Sequence, residues 1–387
     1  MTSLLAESNL IHQNLVVEHA ATDNENNLHE GSSLDALIAH TEVLDSEFTC
    51  HPVTEHCPVE VKVDQIIVGD DNLRLTSAGW SKIADVCRAP LGYWSRFPPE
   101  SWPQFAQYHL DHDPNLAMTG NSHGSIEAVA FRKRFVGFRS THLVHLDFAT
   151  IMQTISAALG DRRQSYLVNK FIVNEDSISV ELITPGQTHA VKVGDDVAGG
   201  IAVSHSILGN HPTTVDLFVH RLFCRNGLTL RHCVGHAAIT RSRRLKDNGT
   251  QARGAAIDQI ERMVLERLSH QTALFGSLSQ LPDAQIGRPA GADDEEAIRR
   301  FLMPSLRATH LWSDQLWQRV LAPAWRHVHG GNGELNEFAA VNTITYVATH
   351  QSDLSFRQRR TLARLAGLLS FRRVHVCPRC NSAIVGT

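Results

Sequence analysis

Three observations predict an α+β fold for this chain. Between residues 125 and 235, short β-rich runs alternate with Asn, Gly and Pro, the pattern of an antiparallel meander. Before them lie short helices divided by prolines, and from about Thr250 the apolar period lengthens to 3.6 residues. The expected architecture is a central antiparallel sheet, short N-terminal helices and a helical C-terminal region, with a zinc-ribbon-like knuckle as an optional end.

Residues 1–60 read as an acidic, mobile arm rich in Asn, Ser and His, with one amphipathic patch at Leu34 to Leu44 that Ser33 would N-cap. A core domain is expected over 61–290. It would open with a strand around Val61, Val63 and Ile66 to Val68, followed by a helix from Thr76, its N-cap, to Cys87. Pro90, Pro98, Pro99 and Pro103 then punctuate short helices carrying Tyr93, Trp94, Phe97 and Trp102, an aromatic density that points to packing. Strands are read at 125–139, Ser165 to Val173, Ser177 to Thr184 and Val197 to Ile207. Val215 to Cys224 and Leu228 to Val234 flank Arg225-Asn226-Gly227, and Asn-Gly supplies the positive φ angles of a two-residue hairpin turn. The helix from Thr250 to Leu281 sets Ile257, Ile260, Val264 and Leu268 on one face. A helical region over 291–370 would hold three more helices, at about 293–327, 334–350 and 355–370, before a Cys-x-x-Cys tail at 371–387.

At 387 residues, with 42% hydrophobic and 20% charged residues, the chain is long enough for two or three domains and too ordinary in composition for wholesale disorder. No apolar run reaches membrane-spanning length and the N-terminus lacks a secretion signal, so a cytoplasmic protein is expected. Seven cysteines, an odd number, fit reduced thiols or metal ligands better than a disulfide framework. The net charge of −4 conceals a partition. Eleven Asp and Glu precede the first cation, Lys62, so the remainder carries 36 − 29 = +7. Within it, residues 221–253 hold Arg221, Arg225, Arg231, Arg241, Arg243, Arg244, Lys246 and Arg253 against Asp247 alone.

Several motifs resemble a known family. They are Leu75-Thr76-Ser77-Ala78 with Ile83-Ala84 and Pro90-Leu91-Gly92-Tyr93-Trp94; Gly194-Asp195 with Gly200-Ile201 and Ser206; Arg221 to Gly227; and Asn342-Thr343-Ile344-Thr345-Tyr346 with His350. In order and spacing the chain resembles the phage/plasmid-like proteins, a family known as a domain of unknown function, over about residues 61–370. It departs at His205-Ser206-Ile207, where the family often has an Asn-Ser-Glu-like stretch, and in its acidic arm and Cys-rich tail. The resemblance implies a mobile element and DNA metabolism, and it supplies no catalytic residues.

The residues themselves offer two chemistries. Cys377 and Cys380 have the spacing of one zinc-ribbon knuckle, and Cys50 and Cys57 are the other closely spaced pair that would complete a four-thiolate structural zinc site; an unmetallated thiol pair or redox chemistry would use the same residues. The segments His232-Cys233-Val234-Gly235-His236 and His142 with His145 also hold metal-type side chains, though ordinary structural histidines account for both. For nucleic acid, Phe131, Arg132, Lys133, Arg134, Phe135 and Arg139 interleave aromatics with cations. An extended strand would present Phe131, Lys133, Phe135 and Arg139 on one face for stacking and phosphate contact. The opposing reading buries both phenylalanines in the core. The basic run from Arg221 through Lys246 suits phosphates, or else is a solvated loop.

Phosphate-binding, nucleophile-elbow, zinc-protease and dinucleotide motifs are missing from the sequence. The function expected is non-enzymatic binding of DNA, single-stranded, in replication or recombination, with no membrane partner and a homo-oligomer left open. Two alternatives remain. One is a divalent-metal nuclease built from acids such as Asp176, Glu181, Asp195 and Asp196; the other is a protein-interaction module acting on a host factor.

Overall fold

A computed structural model describes residues 30–54, 57–89, 91–112, 126–141, 144–174, 176–192, 195–209, 211–221, 229–232, 249–311, 313–329, 335–351, 354, 356–371, 374–376 and 383–385. The compact region begins at Ser33 rather than at Val61. Ser33 caps α1 (Leu34–Ser46) by accepting from the Ala36 amide, and Leu34, Leu37 and Leu44 enter the core. β1 (Phe48–Val53) then pairs along its whole length with β5 (Ile126–Phe131). The acidic character of residues 1–60 masked this, because the apolar stripe of α1 is only three leucines deep.

β1 and β5 belong to a six-stranded sheet completed by β2 (Val59–Val61), β3 (Gln65–Val68), β4 (Asp71–Arg74) and β6 (Arg134–Ser140), in the order β1-β5-β6-β4-β3-β2. The pairs are antiparallel except β4 with β6, which run parallel at Arg74 and Arg134. One face is covered by α2 (Ser77–Val86), α3 (Leu91–Trp94) and α4 (Trp102–His112). Thr76 caps α2 as the sequence predicts. Trp80, Trp94 and Trp102 meet edge-on beneath this layer, with centroids 5.6–6.4 Å apart. The Trp102 indole N–H donates to the Trp94 carbonyl at 2.9 Å, which satisfies the one polar atom the ring carries into the core.

The second sheet is the expected meander: β7 (Leu167–Asn174), β8 (Ser177–Lys192), β9 (Asp195–Ser206), β10 (Thr214–Arg221) and β11 (Thr229–His232), consecutive and antiparallel. β8 outlasts its predicted end at Thr184 by passing Pro185 and Gly186 through a bulge, after which Thr188 resumes pairing with Ala198. Gly200 lies where β8 comes closest, and a Cβ there would meet the Leu182 carbonyl oxygen. β10 and β11 pair antiparallel as predicted, but in a register (Leu217 with His232, His220 with Thr229) that a two-residue Asn226-Gly227 turn would not give. The turn itself lies outside the described residues.

The two sheets share a core. Val129, Phe131 and Val136 from the first pack with Val180, Leu182, Ile201, Val203 and Val215 from the second, together with α1, α5 (Phe148–Leu159) and the first half of α6 (Gly249–Gln280). α6 runs 32 residues, and its second half joins a C-terminal helical core. The predicted helix at 293–327 divides there into α7 (Asp294–Ala308) and α8 (Ala322–His329), the latter entered through helical turns at Asp314–Leu316 and Trp317–Leu321. The break follows from a second capping signal, Ser313 accepting from the Leu316 amide. α9 (Glu337–His350) and α10 (Phe356–Phe371) follow within a few residues of expectation, and a short hairpin, β12 (Val374–Val376) with β13 (Ala383–Val385), ends the described chain. The α+β class with its helical C-terminal region is thus the observed one. No helix among the described residues is long and apolar enough to cross a membrane.

Candidate nucleic-acid interface

The aromatic and basic segment at 131–139 does not form a single strand. Arg132 and Lys133 adopt φ of +49° and +61° and turn the chain between β5 and β6. Two consecutive left-handed residues make the tight reversal that suits twisted strands. Neither residue is Gly or Asn, so composition concealed the turn. The single predicted face therefore does not exist. Phe131 and Phe135 are 8% and 0% exposed and lie on opposite sides of the sheet, Phe131 toward the core shared with the meander and Phe135 under α2 to α4. Arg139 is also internal at 6% exposure, donating to Glu127 at 2.6 Å, to the Cys50 sulfur at 3.2 Å and facing His145 Nδ1 at 2.7 Å. These three residues hold the fold together and are not a binding face. What stays at the surface is the turn. Arg132 forms a double hydrogen bond with Glu47, whereas Lys133 and Arg134, beside Arg74, make no ion pair among the described residues.

The second basic segment is only partly in view. Arg225, Arg241, Arg243, Arg244 and Lys246 lie outside the described residues. Arg221 ends β10 opposite Val197, Arg231 sits in β11 opposite Phe218, and Arg253 is held at the start of α6 by Asp147 at 3.1 Å and Thr150 at 2.9 Å. The fold adds what sequence reading passed over. α10 packs directly against β11. Residues 357–373 contain Arg357, Arg359, Arg360, Arg364, Arg372 and Arg373 and no acid; with residues 221–253 the two segments carry 8 + 6 = 14 cations and one acid, Asp247, in sequence, and they meet where α10 lies on β11. The acid-free run is legible in the sequence, within the helix expected at about 355–370. One of these arginines is committed inward: Arg364 reaches the carboxylate of Asp216, 1% exposed, at 3.0–3.3 Å. Arg359 is half-buried and makes no ion pair among the described residues.

Asp216 belongs to an unusual sheet face. Leu182, Ile201 and Leu217 point one way; the other side carries rows of Ser179, Ser204 and Thr214, then Glu181, Ala202 and Asp216, all buried. Glu181 accepts from the Asn169 amide at 3.0 Å. The acids that a metal nuclease would need are not brought together on it. Asp176 pairs with Lys82 at 2.6 Å at one end of β8, whereas Asp196 pairs with Ala190 near the other end of the strand. Along β9 the row of Glu181 is six residues from Asp196, a separation of about 20 Å. A cleft beside α7 is lined by Asp293, Glu295, Glu296 and Asp314, yet Arg299, Arg300 and Arg326 already engage the last three. Among the described residues no group of three or more His, Cys, Asp or Glu side chains is placed to hold a metal ion. Cys377 and Cys380 lie outside them, within the connection that β12 and β13 bracket. Cys50 is exposed on β1, where burial of its sulfur raises the thiol pKa more than the Arg139 charge lowers it. Cys57 packs its sulfur against Gly69.

Of the metal-type residues singled out in these two segments, His142, Cys233 and His236 fall outside the described residues, and His232 closes β11. His145 and a further histidine, His205, are inside and neutral. Burial, with the Arg139 charge second, lowers His145 from 6.5 to about 4. Burial takes His205, which shares a 2.7 Å hydrogen bond with Thr213, to about 3. Asp45 accepts from the Phe148 and Ala149 amides at the start of α5 and is raised by burial from 3.8 to about 6. The signs oppose. Lowered histidines stabilise the fold above pH 6.5 and lose that contribution as pH falls toward their folded values, whereas a raised carboxyl stabilises it below its unfolded value and loses that contribution as pH rises through 6. Burial lowers His220 as well, so the lowered histidines outnumber the one raised carboxyl and the unfolded chain binds more protons, and stability should fall as the pH drops from 6 toward 4. Urea titrations at pH 7, 6 and 5 measure this. A flat profile, or one unchanged in His205→Gln, would contradict it.

In comparisons with known proteins, no family model, curated protein or solved structure matches the chain.

Proposed function

We propose that the chain binds nucleic acid without cutting it, engaging single-stranded DNA in the replication or recombination of a phage- or plasmid-type element. The observation that carries this reading is the packing of α10 on β11, which sets the described part of the acid-free run 357–373 against a strand of the arginine-rich run 221–253. Arginines so clustered repel one another, and a polyanion that takes their charge relieves the repulsion while releasing its own counterions. The mobile-element context rests on the motif resemblance alone. A structural zinc at Cys377 and Cys380, with Cys50 and Cys57 as the second pair, is a separate part of the proposal, supported by the β12–β13 pairing that encloses the Cys-x-x-Cys.

The test is fluorescence anisotropy of the full chain with labelled single-stranded and duplex DNA across a salt series, with chelator and with magnesium. Tight single-strand binding should weaken with salt, by about 0.7 in log–log slope per phosphate contacted. It should survive chelation and leave the DNA intact. Replacing Arg359 and Arg360 by Gln should flatten the slope by about one to two. Absence of binding at low salt would overturn the reading, and magnesium-dependent cutting would replace it with a nuclease. Zinc content of the same preparation, before and after Cys377→Ser with Cys380→Ser, tests the metal.

A further inference from the structure

The short proline-punctuated helices bury their tryptophans, but they do not bury all their aromatics. On α4 the inward stripe is Trp102, Ala106 and Leu110. The outward stripe, where charged residues belong on a surface helix, is Phe105 and Tyr108, 38% and 61% exposed, and the exposed His112. Tyr93, 52% exposed, and the half-buried Phe97 extend the stripe onto the preceding turn. Ring contacts fall in two groups along it: Tyr93 to Phe97 at 5.4 Å and Phe97 to Phe105 at 5.0 Å, then Tyr108 stacked on His112 at 4.5 Å. Exposed Arg96 stands between the first two rings in sequence and makes no ion pair among the described residues. Glu100 and Asp111 also border the stripe, Asp111 held by the Gln107 amide at 2.9 Å.

From this arrangement we infer that the exposed rings between Tyr93 and His112, in their two groups, form a stacking platform for unpaired bases of a single-stranded nucleic acid. The inference rests on the nucleic-acid reading above and adds to it the surface that distinguishes single strands from duplex. Arg96 supplies charge complementarity to a phosphate beside the rings. Tyrosine, phenylalanine and histidine offer π-faces to any base, so the platform is tolerant of sequence and of no use to a duplex, whose bases are already stacked. The mixed charge around the rings means that it contributes stacking, while the arginine-rich region supplies the salt-dependent attraction.

The experiment uses the full chain and fluorescein-labelled oligo(dT), with a duplex of the same length as the second probe. Tyr93→Ala with Tyr108→Ala should weaken oligo(dT) binding by about 10- to 100-fold, leave the duplex affinity and the salt slope unchanged, and be rescued by Tyr93→Phe with Tyr108→Phe. Both tyrosines are exposed, so the variants should unfold at the parent's urea midpoint. Photocrosslinking of 5-iodouracil-substituted oligo(dT) should map to residues 93–112. Undiminished oligo(dT) affinity in the alanine variant, or equal loss for duplex, would overturn the platform while leaving the binding function intact. A parent protein that binds neither probe would overturn both.

Discussion

Phe135→Ala should destabilise the fold by about 3–5 kcal/mol, the cost of removing a phenyl ring from a closed core. Phe135 is fully buried against α2, and its ring meets Phe138 edge-on at 4.9 Å. The Gly79 position on α2 lies close against both the ring and the backbone of Phe135, so the helix cannot settle into the vacated space without shifting along the strand. A urea unfolding midpoint measures the loss. A change under about 1 kcal/mol together with weakened DNA binding would restore Phe135 to a binding surface and contradict the packing described here.

Arg364→Ala should be comparably severe, about 3–5 kcal/mol, for a different reason. Asp216 is 1% exposed and its carboxylate is engaged by the Arg364 guanidinium through both oxygens. Removing the cation strands a buried negative charge beneath α10. Most of the penalty should therefore disappear when Asp216→Asn is added, because the amide carries no charge to strand. A double-mutant cycle on thermal or urea unfolding gives the coupling directly. Additive effects would show that the two residues act independently. Because this arginine is committed inward, its loss should lower DNA affinity through the fold, whereas Arg359 and Arg360 should change affinity and salt slope in a stable protein.

Local signals read from the sequence located most elements. Ser33 and Thr76 are caps whose hydroxyl oxygens accept amides one turn on, and those hydrogen bonds lie within four residues of chain. The meander and the long helix were legible for the same reason, since alternation and a 3.6 period are properties of the segment itself. The composite arginine region was half legible. The run 221–253 stands out by charge, while 357–373 falls in a predicted helix to which no charge reading is attached, and the two meet only through contact with β11.

Faces and partners were decided by tertiary structure. Whether Phe131 and Phe135 share a side depended on two residues, Arg132 and Lys133, taking left-handed conformations that their side chains do not advertise. Whether Arg139 is a phosphate ligand or an internal ion depended on Glu127, Cys50 and His145 arriving around it. Trp102 and Tyr108 are both aromatics in one short helix, yet one closes a core and the other faces solvent, because a helix turns 100° per residue and only the sheet beneath determines which angle is inside. Sequence determined the class, the elements and the uneven distribution of charge in this protein. Which side chains are left at the surface to meet a partner was set by packing, because burial is a relation between segments and no single segment contains it.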